Sequence, residues 1–259
     1  WNQLIVSPAN TTLSGKKITV IGYGSIGRRI TRLLEQLGAE VHIISQHVTI
    51  SANNFSDKLQ DNHLNSDMIV ISNSTSLHVT TLRRLLESKF NGQIYIEKPI
   101  GADKTELNFL ISLLGKSEAR KISCGYNFRH HPITELCFKI IDNRSSTPID
   151  ISIIYNEDVR TWNDSIQWNE NYATSLQGGG ASLTLSHAID TLNFLVESIA
   201  LVNSPTNISK LLPIDVDQGL RANLINTNPN YPYDTYFVEV GYHSFPGKHS
   251  IQINSNEFS

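Results

Sequence analysis

A chain of 259 residues, 39% hydrophobic and 17% charged, is long enough for two modest domains and ordinary in composition for a globular protein. A net charge of −3 gives no basic excess for nucleic acid or an anionic membrane, and no apolar run approaches the roughly 20 residues of a membrane-spanning helix. The two cysteines, Cys124 and Cys137, make no disulfide framework and lack metal-ligand spacing, so neither a metal, nor a nucleic-acid partner, nor a membrane is expected.

Residues 1–15 read as an N-terminal tail without the charged-then-apolar order of a signal peptide. The N-x-S/T sequons at Asn10, Asn54, Asn73, Asn143, Asn163 and Asn207 read as chance in a chain rich in Asn and Ser, and the cytoplasm is the expected location. "KITVIG" (17–22) is a short β-rich run, and "SIGRRITRLLEQLG" (25–38) spaces Ile26, Ile30, Leu33, Leu34 and Leu37 as a helix closed by Gly38. Strands are predicted at "EVHIIS" (40–45), "DMIVISN" (67–73), "QIYIE" (93–97) and "KISCG" (121–125). A helix bearing Leu82, Leu85 and Leu86 precedes the third of these, and "ELNFLISLLG" (106–115) precedes the last. Strands apolar on both faces and separated by helices imply a parallel sheet wound on both sides, a Rossmann domain over residues 1–125.

After residue 125 the rhythm changes. "PITELCFKIIDN" (132–143) reads as a helix and "IDISIIY" (149–155) alternates as a strand covered on one face. A polar stretch (157–177) with Trp162, Trp168 and Tyr172 leads to Gly178–Gly180 and a helix from about Ala181 to Ile199. Strand candidates follow near 218–226, 235–243 and 248–254. The expected fold class is therefore α/β: the Rossmann domain, then an α+β domain over 126–259 with an open, mostly antiparallel sheet, either compact or cut short at its end.

"VIGYGSIGRR" (20–29) sets Gly22, Gly24 and Gly27 as G-x-G-x-x-G directly between a strand and an amphipathic helix, the context of a dinucleotide fingerprint. Gly22 makes the tight turn, Gly24 admits a pyrophosphate to the backbone, and Gly27 permits helix–strand packing. The amides around Ser25 and Ile26 then face the anion at the helix N-terminus. The acidic residue that would hold the ribose hydroxyls in an NAD site is missing: Ser45, Gln46 and His47 stand there, with no arginine for a 2′-phosphate. The cofactor read from this is NAD(P), leaning to NADP. Ligands of such sheets lie beyond the carboxyl ends of the strands, where Gly22, Ser45, Asn73 and Lys98 fall.

With the fingerprint placed, the sequence resembles the glucose–fructose oxidoreductase / inositol dehydrogenase (Gfo/Idh/MocA) family in four motifs in chain order. These are "ISNSTSLH" (71–78), "EKP" in "YIEKPIG" (95–101), "GYNFRHHP" (125–132) and "GGGASLTLSHAID" (178–190). The resemblance implies Lys98 and His187 as catalytic residues, Lys98 beside the reacting hydroxyl and His187 as acid/base. It implies Asn73, Ser74, His78, Glu97 and Lys98 at the cofactor, with Glu97 orienting or pairing with Lys98. It also makes Arg129, His131, Thr184, His187 and Asp190 candidate substrate contacts, with Asp190, on a neighbouring part of the same helical face, either orienting the imidazole or helping to cap it structurally. Many relatives carry an aspartate where Thr184 stands, and a hydroxyl binds a sugar but is no carboxylate base. The function implied is hydride transfer between a nicotinamide and a sugar or nucleotide-sugar hydroxyl or ketone, in the manner of members tied to surface-polysaccharide pathways. A homo-oligomer formed through the second-domain sheet is expected. Two alternatives remain: a cofactor-binding regulator without turnover, and an NAD-dependent glycosidase of the same fold.

Overall fold

The structure, a computed structural model, describes residues 12–46, 54–115, 119–144, 147–162, 167–176, 178–196, 198–208, 211–242, 244 and 246–256. His47, most of the 1–15 tail, and the sequons at Asn10 and Asn163 lie outside them. The chain divides into two compact units, Trp1–Gly125 and Tyr126–Ser259.

The first unit is a six-stranded sheet of β1 (Lys17–Ile21), β2 (Glu40–Ile44), β3 (Phe55–Ser56), β4 (Met68–Ile71), β5 (Gln93–Ile96) and β6 (Ile122–Cys124). Their order is β3-β2-β1-β4-β5-β6, and every recorded pair is parallel. Parallel strands need crossovers, supplied here by α1 (Ser25–Gln36), α2 (Thr75–Glu87) and α3 (Lys104–Leu113) among others. Alternate residues of one strand enter different cores. Ile69 and Ile71 of β4 pack with Leu82 and Leu85 of α2, whereas Val70 joins Ile18, Val20 and Val41, against which Ile30 and Leu34 of α1 pack. Burial on both faces explains why these strands read as continuous apolar runs. The two-residue β3 was too short to show in the sequence.

The second unit is built on β7 (Ile149–Asn156), β8 (Ile199–Leu201), β9 (Thr206–Asn207), β10 (Gly219–Asn226), β11 (Thr235–Gly241) and β12 (Lys248–Ser255). The order is β12-β7-β11-β10-β8, with β9 also on β10. Only β7 with β11 is parallel, so the sheet is open and mostly antiparallel, as the alternation predicted. On β7, Ile149, Ile151 and Ile153 are buried and Asp150 is exposed. Their inward face packs with α4 (Pro132–Asp142) through Cys137 and Ile141, and with the following helices through Ala181, Ala188 and Leu192.

The single helix expected from Ala181 to Ile199 is corrected to two. A one-turn α5 (Ala181–Thr184) ends at Leu185, α6 (His187–Val196) follows, and Ile199 already belongs to β8. Asp217 holds the start of α5, accepting from the Ser182 amide (2.8 Å) and hydroxyl (2.7 Å), and at its end the Thr184 hydroxyl donates back to the Gly180 carbonyl (2.5 Å). Such i−4 back-bonding bends and weakens a helix. Periodicity carried no sign of either contact.

Among the described residues, the second unit holds one fully desolvated ion pair. Arg144 donates to Asp234 at 2.7 Å with side chains 3% and 0% exposed, and the guanidinium lies 4.2 Å from the Tyr231 ring centroid. Asp234 also accepts from the Ile149 amide (3.0 Å), Asn226 (3.2 Å) and the Tyr236 hydroxyl (3.1 Å). It therefore joins the start of β7, the end of β10 and the start of β11. Removing one partner of a buried pair strands the other charge, which costs about 3–5 kcal/mol. Asp234→Ala should lower the unfolding free energy of the chain by about that amount. A loss below about 1 kcal/mol in urea denaturation would make the pair merely ornamental.

Candidate functional site

One row of main-chain hydrogen bonds aligns the carboxyl edge of the first sheet. The amides of Gly22, Ser72, Glu97 and Gly125 donate to Ile44, Ile21, Ile71 and Ile96 at 2.8, 2.8, 2.9 and 2.9 Å. Residues distant in sequence therefore leave their strands side by side, with Ser45 following Ile44 on the neighbouring strand. This is the edge where ligands of doubly wound sheets bind.

The three fingerprint glycines differ in what surrounds them. Gly22 has φ +98°, and a Cβ on it would lie 2.4 Å from the Asn73 nitrogen. A Cβ on Gly27 would meet the Gly22 carbonyl at 2.0 Å, so α1 packs against the loop with no room for a side chain. A Cβ on Gly24, at φ −75°, would meet nothing within 4 Å. Gly24 opens α1, which has neither a side-chain cap nor an acidic residue in its first turn, so no carboxylate competes for amides around Ser25 and Ile26. Ser74 likewise opens α2 without capping it through its side chain. Asn73 donates to Thr81 at 2.9 Å, while its buried Oδ1 has no hydrogen-bond partner among the described residues. A cleared approach, uncapped amides and an orphan acceptor on one edge fit a dinucleotide's diphosphate and ribose hydroxyls. At the end of β2, Ser45 is buried and Gln46 exposed, and neither is a carboxylate.

Lys98 is half-buried beside Glu97 at the end of β5, and the Lys98–Pro99 peptide is cis. Burial lowers the Lys98 pKa, partly offset by the Glu97 carboxylate. A lysine eased towards neutrality gives up a proton more readily. Glu97 also has a partner the sequence did not suggest: it accepts from the Tyr95 hydroxyl at 2.9 Å. A Cβ on Gly125 would lie 2.5 Å from that hydroxyl, so the following strand end leaves room for the pair.

The cofactor reading of His78 needs correcting. The residue is 1% exposed, and both ring nitrogens face main-chain carbonyls, Pro99 at 2.8 Å and Asn73 at 3.0 Å. Its ring is committed to the loops and is not presented to a ligand.

The second unit groups its candidates around the start of α6. His187, its first residue, stacks on Phe128 (centroids 4.4 Å, planes 19° apart) and takes the edge of Tyr126 at 5.8 Å. Phe128 in turn meets Tyr155 at 5.6 Å. Asp190 does not stand ready for the imidazole as expected, because Arg129 grips both its oxygens at 2.8 and 2.5 Å. The two charges largely neutralise each other. His131 caps α4, accepting from the Ile133 amide at 3.2 Å. Thr184 is likewise corrected as a sugar contact: it is 6% exposed, donates to Gly180 and shares a hydrogen bond with the Tyr242 hydroxyl. Tyr126, Ser186, Ile189, Asp190, Asn193 and Ile199 line a hollow of about 260 Å³. A larger one, about 330 Å³, lies on the outer face of the sheet around Asp150, Asn223 and Phe237, away from His187's stack. The smaller hollow, with Arg129–Asp190 and Tyr126 beside it, carries the polar chemistry.

The sequence misses Tyr95, Phe128 and Tyr242 as contributors. Phe128 stands inside "GYNFRHHP", where an aromatic between polar neighbours was the one available signal.

The fold is thus an α/β dinucleotide-binding sheet followed by an α+β unit. Residues 3–89 match the model of the D-isomer specific 2-hydroxyacid dehydrogenase NAD-binding domain, about a third of the chain and a different family from the one the motifs resemble. A comparison with curated proteins found no match. Among solved structures, the WlbA dehydrogenase of Bordetella pertussis, in complex with NADH and UDP-GlcNAcA, is similar over 93% of this chain and 77% of its own (TM-score 0.71, 17% identity). D-galactose-1-dehydrogenase of Rhizobium etli is similar over 94% and 76% (TM-score 0.71, 16% identity). Myo-inositol 2-dehydrogenase of Lactobacillus plantarum is similar over 93% and 74% (TM-score 0.71, 16% identity). Identities this low carry the fold. No helix among the described residues is long and apolar enough to cross a membrane.

The unequal glycines make a test. Gly24→Val should leave the thermal midpoint within a few degrees of the parent, because its backbone angles suit a side chain and nothing crowds it. The same protein should lose dinucleotide binding in a fluorescence titration, since the valine fills the space the diphosphate requires. Retained affinity would remove the anion from this loop.

Proposed function

We propose that the protein is an NAD(P)-dependent oxidoreductase acting on the hydroxyl or carbonyl carbon of a sugar or nucleotide sugar. The observation that carries the reading is the single edge that holds an empty approach at Gly24, an orphan acceptor at Asn73 and a half-buried Lys98 beside Glu97. The nicotinamide, when bound, supplies the hydride acceptor or donor. Lys98 places positive charge and a proton donor where alkoxide character develops on the substrate oxygen. Glu97, fixed by Tyr95, tempers how far burial depresses that lysine. His187, held face-on by Phe128, exchanges the proton with the substrate or solvent. Arg129 and Asp190 act as a neutralised pair beside it, suited to hydroxyl groups more than to a free anion.

Similar folds crystallised with NADH and UDP-GlcNAcA, or named for galactose and inositol, support a polyhydroxylated substrate. A place in the making of surface polysaccharides is proposed from the motif resemblance alone. The absence of a carboxylate at Ser45 and Gln46 supports acceptance of NADP alongside NAD. The outer sheet face, with Phe237 and Ile225 beside the 330 Å³ hollow, is proposed as the homo-oligomer contact.

Free sugars and UDP-, GDP- and CMP-sugars, each offered with both cofactors and followed at the nicotinamide absorbance, test the activity. Turnover of at least one sugar is expected. Release of a free sugar without net cofactor change would select a glycosidase, and binding without turnover a regulator.

Given a substrate, Lys98→Met should keep the fold and cofactor affinity while lowering kcat by about a hundredfold or more. His187→Asn should give a similar loss and erase one limb of the pH–rate profile. Melting of Lys98→Met with unchanged specific activity in the folded fraction would reduce the lysine to a structural ion. For the cofactor, Ser45→Asp should move preference to NAD by holding the ribose and repelling a 2′-phosphate. Affinities of the parent for NADH and NADPH should lie within about tenfold of each other, and a much larger gap favouring NADH would contradict this account of the β2 end.

A further inference from the structure

His78 faces two acceptors and no donor. Its Nδ1 lies 2.8 Å from the Pro99 carbonyl and its Nε2 lies 3.0 Å from the Asn73 carbonyl. A neutral imidazole has one N–H, so it can satisfy only one of them, and its other nitrogen turns a lone pair towards an oxygen. Only the imidazolium donates to both. We propose that His78 is a positioning residue, a latch that ties the loop after β4 to the Lys98–Pro99 loop, singly closed as imidazole and doubly closed as imidazolium.

The placement gives the latch something to control. Asn73 carries the orphan Oδ1 and abuts Gly22, while Pro99 follows Lys98, so the two carbonyls belong to the two loops that bring these groups to the ligand edge. His78 is fixed in the first turns of α2, in a core that includes Val79 and Leu82, and its ring bridges the two loops. Its surroundings oppose each other. Burial favours the neutral ring and dominates, lowering the pKa, while the two carbonyls and the carboxylates of Glu97 on the β5 end and Glu106 on α3 favour the charged one. The imidazole is therefore neutral at pH 7 and gains its second proton as the pH falls below its ordinary value of about 6.5. In this latch the neutral ring's proton is assigned to the shorter contact, to Pro99, which leaves the Asn73 contact for the second.

The consequence for cofactor affinity rests on the dinucleotide site proposed above, but the latch itself does not. Nitrogen NMR of the cofactor-free full chain, from about pH 7.5 to about pH 5, tests it directly. Ser74 and Ile100 carry the amides bonded to the two accepting carbonyls, so they report hydrogen bonding there. The ring should show one N–H at the upper pH and gain the second on acidification, with the Ser74 amide shifting at the same midpoint and Ile100 shifting little. A ring that stays singly protonated until the protein unfolds, or that titrates without moving Ser74, overturns the latch.

His78→Asn and His78→Gln each offer a single, non-titrating amide donor near one ring nitrogen. NADH affinity of the parent should rise on acidification by about fivefold, the equivalent of one net hydrogen bond, and the His78 midpoint should rise when NADH is added. In the Asn and Gln variants that acid enhancement should vanish. An enhancement that survives both substitutions assigns the pH dependence to another group and overturns the coupling. A parent that binds no dinucleotide at any pH would instead remove the cofactor reading, leaving the Ser74 response to decide the latch.

Discussion

Everything proposed for the first unit depends on a register. Parallel pairing sets Ile44, Ile21, Ile71 and Ile96 across from one another, and the next amides donate back across the sheet in a continuous row. Slippage of one strand by one residue would invert its faces, sending apolar side chains to the wrong core and moving its loop along the edge. The cores on both faces, with residues such as Ile69, Ile71, Leu82 and Leu85 essentially unexposed, forbid such a slip. Each of these side chains contributes about 2 kcal/mol on burial. The precision of the edge is thus a by-product of packing several ångströms away, and chemistry there is carried by residues that a rigid sheet delivers.

The second unit achieves order differently. Its sheet is covered by helices on one face, and polar side chains secure the crossings where apolar packing alone leaves choice. Asp234 collects three strands and a helix end at one carboxylate, and Asp217 restrains the turn into α5. The stack of His187 on Phe128 is a third such restraint, weaker in energy but fixing a ring plane. These contacts specify one arrangement among several that hydrophobicity would tolerate.

What could be read from the sequence divides along the same line. Strands β1, β2, β4, β5 and β7 were legible because burial on one or two faces writes itself into local hydrophobic pattern, and the glycine spacing was legible because its cause lies within six residues. The break at Leu185 was not, since the Thr184 hydroxyl turns to the Gly180 carbonyl and to Tyr242, the latter brought near by the fold alone. Thr184 looked available to a sugar for the same reason. The register of "LSHAID" puts Asp190 on the same helix as His187, yet gave no hint that Arg129, 61 residues earlier, takes its carboxylate. His78 was misread because its partners are main-chain carbonyls, which carry no residue identity at all. Sequence pattern records where a side chain is buried far better than what its polar atoms touch.

The last strand has a role beyond the sheet's count. β12 covers the flank of β7 over eight paired residues, from Lys248 opposite Asn156 to Ser255 opposite Ile149. Without it, β7 would be an edge, and its "IDISIIY" run combines β-branched residues, little charge and no proline, the make-up of a strand that recruits copies of itself. β12 is the better edge, since it presents Lys248, His249 and Gln252 to solvent. During synthesis β7 emerges about a hundred residues before its cover, so newly made chains pass through an interval in which an adhesive strand stands unguarded. That exposure ends only when β12 pairs with β7, a contact across about a hundred residues of sequence.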